Sequence, residues 1–179
     1  MLTLNLIFVY YFVFTSILIS PSSALYYQKY YVSEKCTSVE KPEPIQLTDA
    51  AGGSAVYFEL PNKDGPLIRL TQACVIVVQS SPGHGLVLHP IALDLTQFSG
   101  SITIYQLHLS HADSHTIFDL NNSFNSSDDH VVESVPLNVL PGDNQTIVLF
   151  SFQPNSNQTN WNQLSFEFLV TSFIYAIDA

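Results

Sequence analysis

Apolar and polar residues alternate along much of this chain with a period of two. Val56, Phe58 and Leu60 alternate with Tyr57 and Glu59, as expected of a strand buried on one face. Leu164, Phe166, Phe168 and Val170 repeat the pattern near the C-terminus, and Ile147 to Phe152 alternates in the same way. The stretch from Cys74 to Tyr105 holds three apolar runs separated by a Ser-Pro-Gly turn and a Gln-Phe-Ser-Gly-Ser turn. Its first run, Cys74 to Gln79, is apolar at successive positions, which predicts a strand buried on both faces. Pro82-Gly83 fits a type II turn, because Pro presets φ and Gly tolerates φ > 0. Leu86, Leu88 and Ile91 to Leu95 continue the core, with Pro90 marking a bulge or an edge. Ile102, Ile104 and Leu107 follow.

Polar segments divide these runs. Thr37 to Ala50 carries Pro42, Pro44 and several charges and reads as a surface loop. Ala51 to Ser54 is a flexible turn, Pro61 to Pro66 is turn chemistry, and another strand starts at Leu67. His108 to Asp129 reads as a long exposed loop holding a short strand at Thr116 to Leu120. Val131 to Leu140 has strand character, Pro141 to Asn144 is a turn, and Pro154 to Asn162 is a further loop. There is no amphipathic helix and no internal repeat. Eight or nine short strands without crossover helices predict an all-β fold, an antiparallel β-sandwich.

The N-terminus changes the picture. Leu6 to Ser20 is an almost unbroken apolar run, followed by Pro21, Ser22, Ser23 and Ala24. Small residues at Ser22 and Ala24 satisfy the small-x-small rule for signal peptidase. Residues 1–24 are therefore expected to be a signal peptide, although no Lys or Arg flanks the run. The alternative is a retained segment tethering a surface protein, since about 18 apolar residues span a bilayer. Residues 25–35 form a tyrosine-rich arm with Tyr26, Tyr27, Tyr30 and Tyr31, for which an edge strand is the ordinary reading. Residues 36–177 form the sandwich domain, long enough for one core.

Charge excludes one class of partner. The formal net charge is −10, and the five basic residues, Lys29, Lys35, Lys41, Lys63 and Arg69, all precede Leu70. Nucleic-acid affinity comes mainly from Lys and Arg displacing counterions, so a nucleic-acid partner is excluded. Anionic membranes are disfavoured for the same reason, and no stable membrane insertion is expected after signal cleavage.

Four N-glycosylation sequons begin at Asn121, Asn125, Asn144 and Asn157, each expected in a loop or strand edge that the transferase can reach. Behind a signal peptide they predict a secreted glycoprotein. In an oxidising compartment Cys36 and Cys74 can pair with each other. Closing that loop stabilises the fold by about 4 kcal/mol on the chain-entropy estimate.

The order of these features resembles the CUB domain family. A first Cys, a polar stretch, and then Cys-x-apolar-x-apolar is similar to the opening of CUB domains. Ile102-Thr103-Ile104-Tyr105 resembles the family's central element, Leu140 to Phe150 its late turn and strand, and Leu164 to Phe168 its last strand. The resemblance runs from about Cys36 to Val170 and implies a CUB-like jelly roll. Three departures stand out: Ile76 replaces the usual aromatic, the third and fourth cysteines are missing, and the calcium-binding Asp positions fall at about Gly100 and Gln106. Calcium needs several carboxylate oxygens at one point, so the family's calcium site is not expected here. The two-cysteine form is most similar to CUB-like domains of secreted nematode proteins, some associated with responses to pathogens, which implies a role in innate immunity.

Candidate chemistry is sparse. His108, His111 and His115 are spaced H-x2-H-x3-H around Asp113, a donor set that zinc uses. In a strand end and loop that spacing converges nothing by itself, and a solvated loop is the plainer reading. His130 beside Asp128 and Asp129 would titrate near pH 6.5 if unperturbed. Asp94, Asp113, Asp119 and Glu133 could serve glycoside chemistry only if folding brings two within about 5–9 Å. No nucleophile elbow, metalloprotease helix, phosphate loop or dinucleotide fingerprint is present, so no enzymatic activity and no cofactor are expected. Trp161, Tyr57 and Tyr105 could stack on sugar or peptide, as aromatics do at interfaces. The function expected is a secreted, non-catalytic binding module acting through protein or glycan contacts. The alternative is a metal-binding protein using the histidine loop.

Overall fold

A computed structural model of the chain describes residues 27–38, 40–48, 55–61, 70, 72–108, 114–121, 136–141, 145–155 and 164–175. Period-two alternation becomes strand throughout them. The strands are β1 (Tyr27–Tyr31), β2 (Pro44–Leu47), β3 (Ala55–Leu60), β4 (Cys74–Ser80), β5 (His84–Asp94), β6 (Gly100–Leu107), β7 (Ser114–Asn121), β8 (Leu137–Val139), β9 (Ile147–Pro154) and β10 (Ser165–Ile174). One helical turn, α1 (Val32–Lys35), follows β1.

Two five-stranded sheets result: sheet I in the order β1-β3-β10-β5-β8, and sheet II in the order β2-β4-β9-β6-β7. Successive strands change sheet along most of the chain, and among the described strands only β6 and β7 are neighbours both in sequence and in one sheet. The fold is an all-β sandwich. Its pairs are antiparallel except at one edge of each sheet, where β1 runs parallel to β3 and β2 parallel to β4. Parallel neighbours need a crossover, and here a strand of the opposite sheet intervenes in each connection.

The inward residues of the two sheets make one core. Val56, Phe58, Leu60, Phe166, Phe168 and Val170 line sheet I, and Ile76, Val78, Ile102, Ile104, Phe150 and Phe152 line sheet II, all buried. Phe150 is central. Its ring centroid lies 5.5 Å from Phe58 and 5.7 Å from Phe168, while Phe152 meets Phe166 edge-on at 5.3 Å. Tilted and edge-on aromatic pairs add about 0.5–1.5 kcal/mol each beyond area burial. β4 is buried on both faces, as its unbroken apolar run predicts: Val75 and Val77 are as inaccessible as Ile76 and Val78.

The turn chemistry also holds. Gly83 takes φ 74° between β4 and β5, closed by the His84 N–H donating to the Ser81 carbonyl at 3.1 Å. Pro90 sits where the β5–β10 register shifts, with Phe168 opposite Pro90 and Glu167 opposite Ala92, so Ile91 is the extra residue of a bulge. One expectation is corrected. Residues 44–47, inside the expected surface loop, form β2, because Ile45 and Leu47 both turn inward to the core from the edge of sheet II. The tyrosine-rich arm forms the expected edge strand, here of sheet I, held where Tyr30 stacks on Phe58 at 6.4 Å and Val32 is fully buried. The strand expected from Leu67 falls outside the described residues apart from buried Leu70.

Candidate recognition face

The disulfide is the first predicted site that the structure places. Cys36 and Cys74 are bonded, with Cα atoms 5.3 Å apart, inside the usual range for disulfides. Cys36 ends α1, which hangs from sheet I, and Cys74 begins β4 of sheet II, so the bond ties one sheet to the other. Thr37 and Val75 then exchange both backbone hydrogen bonds at 2.9 Å.

The other predicted residues scatter. Asn121 is the last residue of β7, while Asn125, Asn144, Asn157 and Trp161 lie outside the described residues. Thr146, the hydroxyl residue of the third sequon, is fully buried where β4, β5 and β9 meet. Its N–H donates to Ser80 Oγ at 2.9 Å and its hydroxyl to the His84 carbonyl at 3.0 Å. His108 follows β6 and His115 stands on β7 opposite Gln106, whereas His111 and Asp113 lie outside the described residues. Among the described residues no three His, Cys, Asp or Glu side chains gather as a metal group. Asp94 accepts from the backbone and hydroxyl of Thr96, and Asp119 lies in the other sheet beside Thr103. Glu133, Asp128, Asp129 and His130 lie outside the described residues.

Gly100 and Gln106 have structural roles of their own. Gly100 has φ 149°, and a Cβ there would stand 2.2 Å from the Gln153 carbonyl oxygen. No carboxylate side chain fits without moving β9. Gln106 instead donates its amide to the Leu140 carbonyl at 2.7 Å.

One cluster the sequence left dispersed is assembled on the outer face of sheet I. β1, β3, β10 and β5 bring their outward residues into rows. Tyr57 lies beside Leu169, which has His89 on its other side, and Glu59 lies directly opposite Glu167. Tyr27 rests against Tyr57 with centroids 5.9 Å apart. The Tyr57 hydroxyl donates to Glu167 Oε2, and the Ser165 hydroxyl donates to Oε1 of the same carboxylate at 3.2 Å. Glu59, 4% exposed, pairs with the Lys29 ammonium at 2.7 Å. That ammonium also lies 5.2 Å from the Tyr31 ring centroid. Burial first, and then the hydrogen bond and charge of Glu167, push the Tyr57 phenol well above its ordinary value, against the opposing pull of Lys29. Burial lowers His89, whose Nε2 is 3.2 Å from the Thr171 hydroxyl.

Of this group the sequence singles out Tyr57 as a stacking aromatic and Tyr27 within the tyrosine-rich arm. Tyr57 and Glu59 were legible as the outward positions of β3, and Glu167 as an outward position of β10. Their meeting depends on β10 lying beside β3, a pairing across more than a hundred residues that no local pattern encodes.

Comparison with known proteins adds little. No family model matches the chain, and no curated protein matches it. Among solved structures, the chain is similar to the pre-peptidase C-terminal domain of collagenase from Bacillus anthracis. That likeness has 12% identity and a TM-score of 0.31, covering 74% of this chain and 98% of that one. At that level it carries no inference about family or function. Among the described residues no helix is long and apolar enough to cross a membrane.

Proposed function

We propose that this chain is a secreted, N-glycosylated, CUB-like recognition module without catalytic activity, contacting a protein or glycan partner through the outer face of sheet I. The observation that carries the reading is the assembled Tyr27, Tyr57, Glu59 and Glu167 group on a rigid sheet, with Tyr27 52% exposed. Tyrosine supplies large contact area at low entropic cost, and it is enriched at interface hot spots. Secretion is supported by the apolar run Leu6 to Ser20, the four sequons and the disulfide, since such bonds persist mainly in oxidising compartments. The resemblance to CUB-like domains supports a role in host defence.

The test is to express the full chain in secretory cells and analyse the medium by mass spectrometry. An N-terminus near Leu25 with glycan on the sequons is the expected result, and an intact Met1 on membrane-bound protein would overturn secretion. For the face, binding to cultured cell surfaces should fall on Tyr27→Ser and persist on Gln46→Ser, a change at an exposed position of β2 in sheet II. Equal binding by both variants would place recognition elsewhere.

A further inference from the structure

The outer face of sheet I has a definite chemistry, and one of the protein's own cations already uses it. Lys29 seats its ammonium between a carboxylate and a tyrosine ring, 2.7 Å from Glu59 Oε2 and 5.2 Å from the Tyr31 centroid. Lys35 meets a different ring, Tyr30, which turns inward onto core Phe58 and is not part of this face. The Tyr31 ring on the outer face is presented in a way that accepts a cation, an attraction between the charge and the ring's electron-rich face. Beyond Lys29 the face continues through Tyr27 and Tyr57 to Glu167, and then past Leu169 and the 54%-exposed Ile91 of the bulge. Aromatic and aliphatic surface lies next to carboxylates whose oxygens are held in place by Tyr57 and Ser165.

Charge selects the occupant. The whole chain carries −10, and past Arg69 it holds no Lys or Arg at all. β5, β10 and β8 thus add no Lys or Arg to the face, and its histidine, His89, has its affinity for protons lowered by burial. Lys29 already answers the buried Glu59, so the carboxylate that a further cation would meet on this face is Glu167, held beside Tyr57. An acidic or phosphorylated partner is opposed by the same field.

We infer that the outer face of sheet I docks a lysine- or arginine-bearing segment of a partner protein, its cationic groups lying over Tyr27 and Tyr57 beside Glu167 and its stems on Leu169 and Ile91. This rests on the recognition face proposed above and names what that face takes. Long basic side chains suit the arrangement because their methylene stems cover apolar surface while the charged head meets ring and carboxylate.

The experiment uses the secreted, glycosylated chain and three probes at physiological salt: a peptide alternating Lys and Ser, the same peptide with Glu for Lys, and a neutral chitin hexasaccharide. Calorimetry should register the Lys peptide alone. Tyr27→Ser should weaken that binding about two- to fivefold, the worth of one exposed cation–ring contact. Glu167→Gln, which keeps the shape of the side chain, should weaken it by a similar factor. Glu43→Gln removes the same charge from an exposed position beside β2 of sheet II and should change nothing. Equal loss in Glu43→Gln would show attraction by net charge alone and overturn the inference, as would Lys-peptide binding indifferent to all three variants. Hexasaccharide binding that Tyr27→Ser abolishes would overturn the cationic occupant while leaving the face as a recognition surface. Absence of binding by every probe would also overturn the cationic occupant, with the face still judged by the Tyr27→Ser comparison on cells.

Discussion

Lys29 and Glu59 show how much a single residue's meaning depends on its neighbours. Glu59 is almost completely removed from solvent, while the Lys29 side chain keeps 35% of its exposure. Solvent screening discounts the pair, so its net contribution is near the value for exposed pairs, about 1 kcal/mol or less. Removing one partner is different, because an uncompensated carboxylate would remain buried. Lys29→Met should therefore cost about 1–3 kcal/mol in urea denaturation, and adding Glu59→Gln should restore most of it. A double variant as unstable as the single would show that the lysine acts through packing instead. Two neighbours give the protein a pH window. His89 has its affinity for protons lowered by burial. Below its ordinary value near 6.5 the unfolded chain takes up a proton that the folded one refuses. Stability should thus fall as pH drops from about 7 through 6.5, and His89→Gln should flatten that slope in thermal melts. Tyr57 is shifted upward. Its contribution is complete below pH about 10 and drains away above it, as the unfolded phenol ionises first. Tyr57→Phe should remove that alkaline dependence.

At the scale of elements, the legible and illegible parts of the fold separate by range. Strands β3, β4, β9 and β10 were readable because their alternation or unbroken apolar run is a local property that burial enforces directly. β2 was not, since Pro44 and the charges around it look like loop, and only its parallel docking on β4 gives Ile45 and Leu47 an interior to face. The Tyr57–Glu167 contact was equally hidden, because it arises from strand order. The disulfide lies between these cases: chemistry predicts it, and the structure explains what it joins. It couples α1, hanging from sheet I, to the first residue of β4 in sheet II across a separation of 38 residues. Replacing both cysteines by serine should cost about 4 kcal/mol, read as a lower urea midpoint with the β-sheet dichroism of the native state retained. Loss of less than about 1 kcal/mol would mean that the Thr37–Val75 bridge and buried Val32 already hold the arm. β6 offers a sharper test. Gly100→Ala must displace the Gln153 carbonyl and adopt a backbone that side chains disfavour, so it should cost at least about 1–3 kcal/mol. A silent Gly100→Ala would mean that β6 and β9 can shift there freely.

Across the whole molecule, charge and topology are unevenly shared, and that has a consequence for proteolysis. Strands β4 to β10 lie in Leu70 to Ala179, which contains no Lys or Arg, so trypsin has no site in them. Cleavage is confined to the first part of the chain, and Lys41 is protected by the following Pro42. Cuts after Lys35, Lys63 and Arg69 would release a piece from Cys36 to Lys63 that carries β2 and β3. That piece is still bonded to the remainder through Cys36 and Cys74. β3 is also hydrogen-bonded to β10 along six residue pairs, and Phe58 packs on Phe150 in the opposite sheet. A disulfide keeps two such fragments at high effective concentration, so re-docking outruns escape. The nicked protein should therefore keep its β-sheet dichroism and a cooperative thermal transition. The Cys36–Lys63 piece and the remainder should run as one species without reductant and as two with it, while the peptide ending at Lys35, which carries β1 and α1, has no cysteine and is not held by the bond. Collapse of the dichroism on tryptic nicking before reduction would show that the covalent link between β3 and β4, and not the sandwich core with its cross-sheet bond, holds sheet I together.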